Sequence, residues 1–401
     1  MRAQIGTLIL ATSGIQLANG YFGTFFSLRI ATEDFGPSMS GLVLSSYFAG
    51  FILGAVCVER MIGKVGHIRA YAGCAGLVAA ATNAMPILAG PLPWLIFRVF
   101  VGLGCAGLFV TTESWLNAKA EPLQRGRVFS IYMVGTFLAL AAGQLLIGWT
   151  NIEASTPFNA IATLFAVALI IVCMTRAEPP RVKLYEALPF RRLAGAVPIA
   201  ILGCVVSGLI SSVFYALIPV WMQGEGIEQG MIGLIMLAAV LGGLAFQIPI
   251  GRLSDRFDRR SVLAAVSLGL TATAVGLLLL PHTLPIVLPA SVLFGGFMST
   301  LYPICVAYAH DEMPADRVVG VSSRLILISG IGSVVGPFIG TTAMTFLDLD
   351  GILCLMAVAA FVLGISAVSG FLVTTAAPHL ARPFDVLTPQ ATALAHDPTS
   401  I

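Results

Sequence analysis

The sequence predicts an all-α integral membrane protein, with twelve transmembrane helices arranged as two pseudo-symmetric six-helix bundles. Three observations carry that expectation. Of 401 residues, 58% are hydrophobic and only 10% charged, whereas a soluble domain carries about 25% charged residues. Apolar stretches long enough to cross a hydrocarbon core of about 30 Å as a helix recur along the whole chain. A single offset of 192 residues, as between Lys64 and Arg256, also aligns Gly104 with Gly296, Pro122 with Pro314, Arg125 with Arg317 and Gly148 with Gly340. A fixed offset that holds across several helices marks an internal structural repeat.

The six stretches of the first half fall at roughly 5–30, 38–59, 70–90, 92–117, 126–149 and 157–176. Those of the second half fall at roughly 195–222, 229–250, 261–281, 284–309, 319–347 and 351–375. They are continuous runs rather than alternating segments of about ten residues, which excludes a β-barrel. The first stretch lacks the short apolar core and small-residue cleavage site of a signal peptide, and it contains Gln16 and Asn19. It reads as a retained helix. The charged stretch 177–194, AEPPRVKLYEALPFRRLA, separates an amino-terminal bundle (1–176) from a carboxy-terminal one (195–375) and is expected to be a cytoplasmic linker. Residues 376–401 are Pro- and Ala-rich without apolar periodicity, as in a disordered cytoplasmic tail.

Charge orients these helices. Arg60, Lys64 and Arg69 follow the second stretch, Lys119, Arg125 and Arg127 follow the fourth, and the central linker adds Arg181, Lys183, Arg191 and Arg192. The opposite loops hold Glu33, Asp34, Glu153, Glu225, Glu228, Asp348 and Asp350. By the positive-inside rule both termini are cytoplasmic. Trp94, Trp149 and Trp221 fall at the outer boundary, where amphipathic rings prefer to lie. A net charge of +2 leaves no electrostatic footprint for nucleic acid. The seven cysteines (57, 74, 105, 173, 204, 305 and 354) lie in apolar helix with no CxxC pair, and read as packing residues rather than disulfide or metal ligands.

Two loops carry a pattern. The string GRLSDRFDRR (251–260) resembles the loop signature of the major facilitator superfamily. In it Gly251 lets helices pack closely, Asp255 caps or pairs with a neighbouring helix terminus, and Arg256 and Arg259 pin the cytoplasmic face. Asp258 departs from the pattern, standing where the family usually has glycine. The 192 offset places the first-half copy at ERMIGKVGHI (59–68), where Lys64 and Gly66 keep their roles while Gly63 replaces the acid and Glu59 the first glycine. In the fourth stretch RVFVGLG (98–104) resembles the family's RxxxGxG element, and GSVVGPFIG (332–340) places small residues four apart, with Gln144 at the repeat position of Gly336. ESWLN and KVGHIRAYA resemble the YcaD-like group of bacterial facilitators.

This resemblance implies a secondary transporter working by alternating access in a bacterial cytoplasmic (inner) membrane. Its partners would be a small-molecule substrate, protons and the bilayer; it would be a monomer with no cofactor. The first, fourth, seventh and tenth helices line the cavity in this family. A buried charge costs at least about 2.5–3.5 kcal/mol on insertion scales, so ionisable groups inside these helices point to function. Arg98 and Glu113 are joined by steps of three and four residues (98, 102, 105, 109, 113) and share one helical face. Glu113 can take up a proton or pair with a cation, for which Arg324 is the candidate. Neither charge has a repeat counterpart, since Tyr132 stands opposite Arg324 and Cys305 opposite Glu113.

Softer candidates for the pathway are Gln16 and Asn19 beside Gly23, the stripe Ser207, Ser211 and Tyr215, and Tyr132, Gln144, Gln247 and Tyr302. Trp115 reads as an interfacial anchor, and HDEMPAD (310–316) as a turn rather than a metal site. Several functions stay open. An organic-anion carrier would use Arg324 or Arg98 as counter-charge, and a multidrug proton antiporter would attract cations with Glu113. A non-transporting receptor or assembly factor can share the fold. No HExxH element or phosphate-binding GxxxxGK[ST] loop points to an enzyme.

Overall fold

The structure, a computed structural model, describes residues 2–119, 124–174, 195–313 and 318–369. The linker 177–194 and the tail 376–401, with Pro122, Pro314 and Arg317, lie outside the described residues. Twelve long α-helices follow one another: α1 (Arg2–Ala31), α2 (Pro37–Val65), α3 (His67–Ala84), α4 (Pro91–Lys119), α5 (Arg125–Leu145), α6 (Thr156–Cys173), α7 (Pro198–Gly224), α8 (Gln229–Arg256), α9 (Arg259–Leu279), α10 (Leu284–Glu312), α11 (Val318–Leu347) and α12 (Gly351–Ser369). Among the described residues nine stretches of helix are long and apolar enough to cross a membrane, the last running through α11 and α12 together. α1 and α3 are not among them. α1 carries Thr12, Ser13, Gln16 and Asn19, and α3 is a short helix rich in alanine and glycine.

Two boundaries differ from expectation. The third helix stops at Ala84 instead of running to 90, and the fifth ends at Leu145 in a 3₁₀ turn, Leu146–Trp149.

Missing side chains set the helix crossings. A Cβ on Gly50 would lie 2.0 Å from the Val99 carbonyl oxygen, and one on Gly102 would lie 1.9 Å from that of Tyr47. α2 and α4 therefore meet backbone to backbone, as small residues allow in membranes. Gly242 stands at the repeat position of Gly50 and meets the Val292 carbonyl in the same way, at 2.1 Å, so α8 and α10 repeat the crossing. Gly20 and Gly143 join α1 to α5, while Gly208 and Gly332 join α7 to α11.

The chain forms two compact units, Met1–Leu184 with Tyr215–Leu237, and Tyr185–Phe214 with Ala238–Ile401. One end of α7 and of α8 thus belongs to the first unit. There the Ser27 hydroxyl donates to the Ala216 carbonyl, and the Gln229 amide donates to the carbonyls of Ile147 (2.5 Å) and Thr150 (2.7 Å).

The two copies of the loop pattern solve one problem in two ways. Gly66 alone separates α2 from α3, at φ 83°, a left-handed conformation that suits glycine. Asp258, its repeat counterpart, keeps φ −57° and caps α9 by accepting from the Ser261 amide at 3.0 Å.

The tryptophans correct the sequence reading. Trp149 is 84% exposed, but Trp94 and Trp221 are buried within the protein. The Trp94 indole donates to the Met85 carbonyl at 2.9 Å, and its ring packs against Phe26, Phe35 and Phe158. Trp115 is likewise buried rather than interfacial, 6.0 Å from the His67 ring. Cys57 and Cys173 are exposed and so do not pack a core, unlike buried Cys74, Cys105, Cys204 and Cys305.

Candidate functional site

Glu113 sits in a polar stretch of α4 that is buried throughout, from Thr111 to Ser114, and is itself 2% exposed. The Tyr132 hydroxyl of α5 donates to its Oε1 over a long 3.5 Å. On either side, Thr112 meets Thr12 of α1 at 3.1 Å and Ser114 meets His67 of α3 at 3.0 Å. Four helices therefore place polar groups around one carboxylate. Tyr132, expected only as a cavity residue, is brought to the site from the repeat position of Arg324.

Arg98 lies 15 residues before Glu113 on α4, about 22 Å along the axis. It is 6% exposed. Its guanidinium carbon is 5.2 Å from the Phe22 ring centroid, 4.4 Å from that of Phe26 and 4.6 Å from that of Tyr47. Its Nε finds no acceptor, and none of the described carboxylates forms an ion pair with it. The Tyr47 hydroxyl hydrogen-bonds the Cys105 thiol, Cys105 donates to Asn19 at 3.4 Å, and Asn19 donates to Gln16 at 3.2 Å. Gln16, Asn19, Cys105, Tyr47 and Arg98 thus form one continuous series between α1, α2 and α4. Gln144 lies outside it, accepting from Thr24 at 2.6 Å and tying α5 to α1.

Sequence reasoning missed Tyr47 and the rings of Phe22 and Phe26, which carry no local signal. Cys105 was legible: it stands on the face running from Arg98 to Glu113, although it was read as packing alone.

The candidates in the second half are more scattered. Ser207 is buried with an unpartnered hydroxyl, while Ser211 and Tyr215 are half-buried further along α7. Tyr302 is buried in α10, Gln247 is buried in α8 with neither amide atom partnered, and Arg324 is half-buried on α11.

The loop residues also depart from expectation. Arg259 does not pin the surface; it is 5% exposed and donates to Asp311 on α10 and, at 3.1 Å, to the Ser254 hydroxyl. Asp255 pairs with Arg259 at 3.6 Å rather than with a neighbouring helix terminus. Arg260 donates to the Tyr308 hydroxyl at 3.0 Å, and His310 meets Ser322 at 2.8 Å. His67 occupies the repeat position of Arg259 and makes the equivalent tie, from the start of α3 to the end of α4. Lys64 and Arg256 are exposed, and Gly251 is buried in α8.

Two helical units with apolar exteriors and buried charge on the fourth helix describe a polytopic membrane carrier. The chain belongs to the Major Facilitator Superfamily, whose sequence pattern matches residues 8–228 and again 200–395. It is 27% identical over 332 residues to an uncharacterized MFS-type transporter YcaD of Escherichia coli O7:K1, covering 82% of this chain and 85% of the relative. To the YcaD of Escherichia fergusonii it is 29% identical over 336 residues, again covering 82% and 85%. Among solved structures it resembles the nucleoside transporter NupG (TM-score 0.77, 12% identity, 92% of this chain and 100% of that one). It also resembles a bacterial homologue of the human lysosomal transporter Spinster, inward-facing and occupied (TM-score 0.71, 18% identity, 92% and 95%). The protein is a multi-pass membrane protein and a secondary transporter.

Proposed function

We propose that the protein moves a small solute across the bacterial inner membrane by alternating access between bundles 1–176 and 195–375, coupled to protons through Glu113. Both termini are cytoplasmic in this reading, and the working unit is a monomer. One observation carries it: a carboxylate 2% exposed, in reach of a tyrosine hydroxyl, within a transporter fold. A carboxylate buried as an anion is costly unless a cation or a proton neutralises it. Protonation therefore lowers the cost of any rearrangement that withdraws Glu113 from water, and the change of conformation becomes linked to proton binding.

A multidrug proton antiporter is the second reading, with Glu113 attracting cations. The uncompensated positive charge of Arg98 in the same bundle disfavours it.

The test is transport by full-length protein in proteoliposomes, screened with carboxylates, nucleosides, amino acids and organic cations. A gradient of one pH unit can drive roughly tenfold accumulation per proton. Wild type should accumulate one class of solute under the gradient. Glu113→Gln should lose that accumulation while retaining counterflow exchange without a gradient. Equal accumulation by both proteins removes Glu113 from the coupling. Absence of flux for every class favours a receptor on the same fold.

A further inference from the structure

We infer that Arg98 is the docking point for the carboxylate of a monoanionic solute, walled by Phe22, Phe26 and Tyr47. The inference rests on the transporter reading and adds the chemical class of the cargo.

Two arginines are equally deep in the protein, and their surroundings differ. Arg259 is 5% exposed and answered by Asp311, Asp255 and Ser254. Arg98 is 6% exposed, has no ion pair with a described carboxylate, and leaves its Nε without an acceptor. The three rings attract the guanidinium through their faces, an interaction worth about 2 kcal/mol or more when desolvated. That attraction does not use the N–H edge of the fork, and a bare buried donor is costly. Nε with the adjacent Nη forms the edge that fits the two coplanar oxygens of a carboxylate.

The surroundings admit a ligand. Thr12, Gln16, Asn19, Gly23 and Phe26 follow steps of three and four along one face of α1. Asn19 and Gly23 are only half-buried, and a Cβ added at Gly23 would meet no atom within 4 Å. Open space therefore borders the face that also contributes Phe26 to the arginine. Asn19, linked to Tyr47 through Cys105, supplies polar groups nearby. Ala290 stands at the repeat position of Arg98, so the second bundle builds its equivalent crossing without this charge. The apolar walls favour an acid with a small hydrophobic body.

The experiment is thermal unfolding of the full-length protein in nanodiscs, with benzoate, propionate, benzamide, benzylamine, phosphate and chloride as probes. Wild type should be stabilised by the monocarboxylates and not by the amide or the amine. Arg98→Lys, which keeps the charge and loses the fork, should need roughly tenfold more carboxylate for the same shift. Arg98→Met should lose the shift altogether. Without ligand Arg98→Met should melt no lower than wild type, because it removes an uncompensated buried cation. Any of four results would overturn the inference: no monocarboxylate shift in wild type, an equal shift with chloride or benzamide, a shift retained in Arg98→Met, or a ligand-free Arg98→Met that melts several degrees lower. Carboxylate protection in a protein that moves no solute would keep the site and remove the transport reading. Solute transport unchanged in Arg98→Met would do the reverse.

Discussion

Glu113 and Arg98 share one face of α4, and their surroundings assign them different work. Glu113 is ringed by hydroxyl-bearing side chains and touches Tyr132, a setting in which it can alternate between acid and carboxylate. Arg98 is held by aromatic faces that stabilise charge and accept no proton. Both were legible in the sequence, because a charge inside an apolar helix is expensive enough to need a reason. Tyr47 was not, since a tyrosine in a membrane helix is unremarkable until the fold sets it against an arginine. Trp94 misled for a related reason: its indole finds the Met85 carbonyl only once α3 and α4 are placed. If Tyr132 stabilises the charged form of Glu113, Tyr132→Phe should slow gradient-driven uptake roughly tenfold, as expected for one hydrogen bond to a charged group. Its thermal stability should stay near wild type. Uptake at the wild-type rate, measured in proteoliposomes, would leave the hydroxyl without a role.

At the scale of helices, glycine position decides packing. The RVFVGLG string suggested close approach, and Gly102 against the Tyr47 carbonyl and Gly104 against the Cys74 carbonyl bear it out. Gly102→Ala would put a Cβ 1.9 Å from a backbone oxygen and should lower the melting temperature by several degrees. Gly14→Ala is the control, since its Cβ would meet nothing within 4 Å and alanine favours helix by up to about 1 kcal/mol. It should be neutral or stabilising. The loop copies give a second pair. Asp258→Ala removes a helix cap and should cost about 1 kcal/mol, whereas Asp258→Gly should cost only a few tenths. Gly66→Ala must adopt a left-handed backbone and should cost about 1–2 kcal/mol. Chemical unfolding in detergent ranks these variants, and a harmless Gly66→Ala would contradict the turn described. Helix existence was legible throughout, but the end of α3 was not, because the apolar run from Met85 to Leu88 continues past the point where the backbone turns away.

For the whole molecule, the repeat was the most legible feature, because Gly50 and Gly242 serve the same crossing in each half. The division into compact units was not legible. It places 215–237 with the first unit, and that follows from contacts between residues far apart in sequence, such as Gln229 with Ile147 and Thr150. Gly148 and Gly230 mark the same junction: a Cβ on Gly148 would sit 3.4 Å from the Cα of Gly230, within reach of a disulfide. If alternating access parts this junction, a Gly148→Cys, Gly230→Cys protein should stop transporting when oxidised and recover on reduction. Each single variant should remain active, and transport that continues with the bridge formed would exclude opening here. Coupling through Glu113 is tested most directly by recording the internal pH of proteoliposomes while the transported solute is added outside. Wild type should change the internal pH in proportion to solute flux, and Glu113→Gln should move solute with no pH change. The same pH change per solute in both proteins would contradict Glu113 as the proton carrier.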